Sequence, residues 1–169
     1  AYMASGSGTG ASCTTAQFRG HVVGTALLAG ARGTMRCLIR AKSWHVVLGG
    51  TDTSTVDVTG DHLLSYAIGA SAQTGAVTNS GNIEAQGGQI LMTARSASGV
   101  QDAVINNTGM AEANSARSVH GEIILDAGEG TATNAGTLNA SGKNAGETGG
   151  TVKVLGRLAA VPDNAVIDV

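Results

Sequence analysis

Aromatic side chains are nearly missing from this chain of 169 residues, which has one Trp, two Tyr and one Phe. Proline occurs once and cysteine twice. No apolar run reaches the roughly 18 residues that suggest a membrane-spanning helix, so no such span is expected. Each scarcity excludes something. A globular core of ordinary width leans on large side chains, so the interior expected here is narrow and filled by Val, Ile, Leu and Ala. Without interleaved aromatics there is no stacking platform for single-stranded nucleic acid, and no nucleic-acid partner is expected. The two cysteines, Cys13 and Cys37, have no Cys-x-x-Cys spacing, so zinc and dithiol redox chemistry lack their ligand pattern. They leave one pairing, a disulfide in an exported protein or two free thiols otherwise. The apolar fraction of 42% argues against disorder, despite 26 glycines.

The net charge of −2 hides an uneven spread. Residues 1–50 hold five basic side chains, Arg19, Arg32, Arg36, Arg40 and Lys42, and no acid. Residues 51–169 hold the other five bases and all twelve acids. A basic opening therefore precedes an acidic body.

What the sequence does have is repetition. Asn79-Ser80-Gly81-Asn82-Ile83-Glu84-Ala85, Asn107-Thr108-Gly109-Met110-Ala111-Glu112-Ala113 and Asn134-Ala135-Gly136-Thr137-Leu138-Asn139-Ala140 are one phrase. Asp163-Asn164-Ala165-Val166-Ile167-Asp168-Val169 is a fourth version. A second phrase follows the first three: Gly88-Gln89-Ile90-Leu91-Met92, Gly121-Glu122-Ile123-Ile124-Leu125 and Gly150-Thr151-Val152-Lys153-Val154. A period of about 27–29 residues means stacked supersecondary units. Glycine and asparagine recur too often for helices, and short strands between Asn-x-Gly and Gly-Gly turns fit the pattern. The expected fold is all-β, a right-handed parallel β-helix. Stacking predicts an apolar column of Ile83, Ala111, Leu138 and Ile167. It predicts a second column of Asn79, Asn107 and Asn134 whose amides bond from unit to unit. The interval between phrases lengthens along the chain, which loops on one side of a stack tolerate.

Two regions follow. Residues 45–169 read as the repeats, with Thr55–Asp61 and Leu63–Ile68 as strands of early coils. Residues 1–44 form a basic segment that reads as the first coils or as a cap. Within it, short strands with a turn at Gly30–Gly33 compete with a helix over Met35–Trp44.

A family resemblance rests on three stretches. These are Val46-Val47-Leu48-Gly49-Gly50, Val56-Asp57-Val58-Thr59-Gly60-Asp61-His62-Leu63-Leu64-Ser65-Tyr66, and Asn79–Ile83 with Gly87-Gly88-Gln89-Ile90. Together with Asn139-Ala140-Ser141-Gly142 and Gly149–Val154, they resemble the filamentous haemagglutinin family over about residues 45–169. Members of that family are large proteins of Gram-negative bacteria exported by a dedicated outer-membrane partner. The resemblance implies the end of a secretion domain leading into a β-helical shaft. It also implies a secreted or cell-surface location, and contact with a host or neighbouring cell. Leu27–Met35 lacks the Asn-Pro-Asn-Gly turn of that family's secretion domain.

Candidate chemistry is sparse, and no catalytic, cofactor or metal residue is assigned. The strongest constellation is the outward column of Glu84, Glu112, Asn139 and Asp168. Adjacent carboxylates there can share a proton or hold calcium, and the competing reading is a solvated polar face. No Lys, Arg or His is expected in that column. His21, His45, His62 and His120 have no ligand spacing. Asp57 and Asp61 flank a turn that accounts for both, and Trp44 and Tyr66 read as core or cap residues. The function expected is a stiff structural and adhesive segment. The alternative is a polysaccharide-acting enzyme on the same architecture. The fourth phrase stops at Val169 with an open strand edge, which predicts self-association there or a longer parent chain.

Overall fold

The computed structural model describes residues 2–5, 11–13, 16–17, 25–30, 32–36, 38–40, 45–50, 53–57, 65–69, 75–94, 104–115 and 119–169. Among the described residues every element is a strand or a turn, and there is no helix. The strands come in six rounds of three. The first round is β1 (Tyr2–Ser5), β2 (Ala11–Cys13) and β3 (Ala16–Gln17). The second is β4 (Thr25–Gly30), β5 (Arg32–Met35) and β6 (Leu38–Arg40). The third is β7 (His45–Gly50), then, after β8 (Thr53–Asp57) and β9 (Ser65–Gly69), β10 (Ala76–Asn79) and β11 (Asn82–Glu84). The fourth is β12 (Gln89–Ala94), β13 (Val104–Asn107) and β14 (Met110–Glu112). The fifth is β15 (Glu122–Asp126), β16 (Thr131–Asn134) and β17 (Thr137–Asn139). The sixth is β18 (Thr151–Leu155), β19 (Leu158–Ala160) and β20 (Val166–Asp168).

Each position in the round builds its own six-stranded parallel sheet. The first strands make sheet A, in the order β1-β4-β7-β12-β15-β18. The second strands make sheet B and the third strands sheet C, in the same succession of rounds. Strand alternation then sorts the side chains. In β11, Ile83 is buried between an exposed Asn82 and a half-buried Glu84. Ile83 pairs with Ala111, Ala111 with Leu138 and Leu138 with Ile167, as the spacing predicts. Ile90 and Ile123 form a matching column in sheet A. The core is almost wholly Ile, Leu, Val, Met and Ala, so few large rings are needed.

The asparagine column is the polar part of this interior. Asn79, Asn107 and Asn134 are fully buried. Asn79 Nδ2 donates to Asn107 Oδ1 at 2.8 Å, and Asn107 Nδ2 donates to Asn134 Oδ1 at 2.7 Å. The glycines after Asn107 and Asn134 are fixed by close approach. A Cβ on Gly136 would stand 2.1 Å from the Gly109 carbonyl oxygen, and one on Gly109 would stand 2.1 Å from that of Gly81. Any side chain there would push the rounds apart.

Several details differ from the sequence reading. β8 and β9 pair antiparallel with each other, in a sheet of their own. The strands at residues 53–57 and 65–69 are therefore not part of the stacked parallel sheets but an antiparallel pair placed in sequence between β7 and β10. The helix over Met35–Trp44 is replaced at residues 38–40 by β6, which pairs parallel with β11. The alternative of short strands is the one found, with β4 ending at Gly30 and β5 starting at Arg32. The asparagine column ends at Asn134, as expected. Thr133 pairs with Ala160, so Val161 follows at the position aligned with Asn134. The next residue is Pro162, which has no N–H to continue the bonds that Thr108 and Ala135 make to the Asn79 and Asn107 carbonyls. The pairing of Cys13 and Cys37 lies outside the described residues.

Two substitutions test the column. Asn107→Ala strands the Asn79 amide and the Asn134 carbonyl in a buried site, at about 1–3 kcal/mol each. The expected loss is about 2–5 kcal/mol in urea unfolding, with Asn106→Ala on the outward face within about 0.5 kcal/mol of the parent. Leu138→Asp is expected to abolish folding by burying an unpaired carboxylate. A folded Leu138→Asp chain would contradict the inward placement of that column.

Candidate functional site

Sheet C presents the expected polar column. Glu84 pairs with Glu112, Glu112 with Asn139 and Asn139 with Asp168. Neighbouring strands put these residues about 4.8 Å apart along the stack. The register also adds a residue that the sequence reading left out. Arg40 of β6 pairs with Glu84, so a basic residue does share the column. Its strand was hidden in the segment that admitted a helix.

The loop between β17 and β18 brings a second base. Lys143 forms an ion pair with Glu112, across 31 residues of sequence. Asn114 also donates to Glu112, and Ser141 Oγ donates to Asn114 Oδ1 at 3.4 Å. Asn139 Oδ1 accepts from Ser141 N at 3.0 Å and from Ser141 Oγ at 2.7 Å. The long turn after sheet C thus folds back over the column of the preceding round. It leaves a cleft of about 130 Å³ lined by Glu84, Gln86, Glu112, Asn114 and Lys143.

Burial alone would raise the Glu112 pKa. Hydrogen bonds from Lys143 and Asn114, with the Lys143 charge, outweigh it and hold the carboxyl below its usual 4.5. Glu112 is therefore an ionised acceptor, not a proton donor at neutral pH. A general acid needs the opposite shift. The cleft is suited to hydroxyl or cationic groups that compete with Lys143 for Glu112.

A second polar chain runs across the outward face of sheet A. His45 Nδ1 donates to Gln89 Oε1 at 3.2 Å, and Gln89 Nε2 donates to Glu122 Oε2 at 2.5 Å. Lys153 Nζ donates to Glu122 Oε1 at 2.9 Å. For Glu122 too, burial acts upward. The bonds from Lys153 and Gln89 and the Lys153 charge prevail and lower its pKa. The signal for this chain was present in the sequence, since Gln89 and Glu122 each follow the glycine of the second phrase.

The other candidates stay apart. Asp57 ends β8 opposite Ser65, and Tyr66 lies opposite Val56. Asp61, Trp44, His21 and His62 lie outside the described residues. His120 is exposed. Among the described residues, no three His, Cys, Asp or Glu side chains gather as a metal site. Asp168, at the end of the column, is exposed.

The lowered pKa of Glu112 sets a pH dependence. Its folded pKa lies below the unfolded value, so its stabilisation is complete above about pH 4.5 and is lost as pH falls through the folded pKa. Glu112→Gln is expected to flatten the acid side of a melting-temperature profile. At pH 7 it should cost no more than about 1 kcal/mol, because Lys143 is half exposed. An acid limb unchanged in Glu112→Gln would remove Glu112 from the titrating set.

Models of known protein families give no match to this chain, and neither a curated protein nor a solved structure matches it.

Proposed function

We propose that the chain is a right-handed parallel β-helix acting as a stiff structural and adhesive segment of a secreted, filamentous haemagglutinin-like surface protein. The observation that supports this best is the unbroken parallel register of sheets A, B and C, which gives every round the same plan. Such a stack makes a rod whose excursions, such as the β8–β9 hairpin and the turns after sheet C, offer contact surface without disturbing the core. The partners in this reading are an outer-membrane secretion partner and the surface of a host or neighbouring cell. The family assignment rests on the residues quoted for the resemblance.

A second reading, a polysaccharide-acting enzyme, draws on the cleft at Glu84 and Glu112. Fold does not choose between the two. The lowered pKa of Glu112 removes it as the general acid of such a pair.

Single-molecule force spectroscopy tests the rod. A peeled round of 28 residues, the Asn79-to-Asn107 spacing, releases about 95 Å of chain. Repeated lengthening in such steps is expected, whereas unfolding in one event would count against a stack of equivalent rounds. Beads coated with the chain test the adhesive part. They are expected to stay on epithelial or bacterial cells through washes that remove albumin-coated beads, and equal loss of both kinds would refute it. A reducing-end assay over a polysaccharide panel is expected to give no signal. Turnover abolished by both Glu84→Gln and Glu112→Gln would establish the enzyme reading instead.

A further inference from the structure

The cleft over sheet C sets an amine, a carboxamide and a carboxylate against one another, and neither the scaffold role nor the enzyme reading uses that combination. Lys143 Nζ and Asn114 Nδ2 both donate to the same oxygen, Glu112 Oε1. Atoms bonded to one oxygen stand no further apart than about two hydrogen-bond lengths. The backbone fixes this meeting. Ser115 and Gly142, the sequence neighbours of Asn114 and Lys143, form a parallel bridge, and Ser115 N donates to the Ser141 carbonyl at 3.1 Å. Asn114 is only 3% exposed, whereas the Lys143 side chain is 51% exposed and reaches the carboxamide from the solvent side. Ser141 Oγ donates to Asn114 Oδ1 at 3.4 Å, on the far side of the same carboxamide.

We propose that this trio is a modification site, at which Lys143 and Asn114 join in an isopeptide bond with Glu112 as the acid–base group. Glu112 accepts a proton from the Lys143 ammonium, which frees the nitrogen lone pair. Lys143 Nζ then bonds to Asn114 Cγ, and negative charge gathers on Oδ1, where the Ser141 hydroxyl already donates. The Cγ–Nδ2 bond breaks as Glu112 returns its proton to Nδ2, and ammonia leaves. One amide is exchanged for another, so no oxidant, reductant or activated donor is required. Glu112 begins and ends ionised, the state in which its partners hold it. Placing the amine beside the carboxamide in one chain replaces an encounter of two molecules by a step within one. Escape of ammonia into solution draws the exchange forward.

A similar trio on sheet A lacks this arrangement. Lys153 Nζ and Gln89 Nε2 hold opposite oxygens of Glu122, Oε1 and Oε2. The carboxylate there stands between amine and carboxamide, and no link is expected at Lys153. The proposal goes beyond the scaffold role and does not depend on it. The link at Lys143 closes residues 114–143 into a covalent ring, from the end of the fourth round to the turn after the third strand of the fifth.

The intact mass of the 169-residue chain, followed from cell-free synthesis through incubation at pH 7 and read after denaturation, is the test. The parent is expected to lose the mass of one ammonia, and tandem mass spectrometry of a digest to show Lys143 and Asn114 in one branched peptide. Lys143→Arg keeps the positive charge but supplies no attacking amine, and its mass is expected to stay unchanged. Glu112→Gln is expected to link at least about 100-fold more slowly than the parent. A parent chain of unaltered mass overturns the proposal. So does a loss of ammonia that persists in Lys143→Arg, which would mark an asparagine cyclising on its own backbone. A link that forms at the parental rate in Glu112→Gln overturns it too. Force spectroscopy gives a second readout, because the ring withholds the 29 residue steps from Asn114 to Lys143, about 100 Å of chain that Lys143→Arg releases. Unaltered mass with stepwise lengthening ends this proposal alone, since the lengthening itself tests the rod.

Discussion

A carboxamide in an apolar interior must find partners for both its oxygen and its nitrogen, and the rest of this structure depends on how three of them do so. Asn79, Asn107 and Asn134 pass hydrogen bonds along the stack in one direction, each nitrogen to the oxygen of the next round. The side chains also tie down their own turns. Gly81 N donates to Asn79 Oδ1 at 3.1 Å, and Asn134 Nδ2 donates to the Gly136 carbonyl at 3.3 Å. The column thus holds turn shape and register together. A slip of two residues, which keeps each side chain on its own face, would place Asn79 against Ile105 or Asn107 against Ala132 and leave it unpaired, at a cost of a few kcal/mol. Apolar columns such as Ile90 and Ile123 tolerate approximate fits, and the amides do not. They confer specificity on an interior whose hydrophobic contacts supply most of the cohesion.

The same constraint accounts for the composition. Each round places few residues inward, and these meet their counterparts in the next round at strand spacing. Ala111 stands between Ile83 and Leu138, so one small side chain sits among the large ones of that column. An indole would not fit in such a column. Glycine is needed where backbone meets backbone, as at Gly109 and Gly136 at the same corner of two successive rounds. Acidic and basic residues are left for the outward faces, where Glu112 with Lys143 and Glu122 with Lys153 join one round to another.

Legibility in the sequence followed periodicity. The Ile83, Asn79 and Glu84 columns could be read because one spacing repeats with near-constant length and identical turn residues. β6 was obscure because Met35–Lys42 contains no glycine and its spacing to the later phrases is broken by the long stretch before β10. β8 and β9 were read as coils because alternation signals a strand without saying which strand it pairs with. Pairing is a tertiary property, and here local contact between two neighbouring segments replaced stacking. Lys143 was missed at Glu112 because it lies in a variable-length turn, where no repeat predicts the path of the chain. The turn between β19 and β20 is longer than its counterparts, which shifts residues between two strands that themselves stay in register.

In the proposed β-helical rod, the antiparallel pair of β8 and β9 bears on how load is carried. β7 pairs with β4 and β12, and β10 with β5 and β13, so the stack is continuous on both sides of the insertion. Tension drawn from the chain ends is borne by the rung-like bonds between successive rounds. The hairpin hangs from this structure as a side branch, in parallel with the load until the third round itself peels away. Its sequence and length are therefore mechanically unconstrained. In the proposed rod, β8 and β9 are the described strands that can vary without touching the pairing between successive rounds.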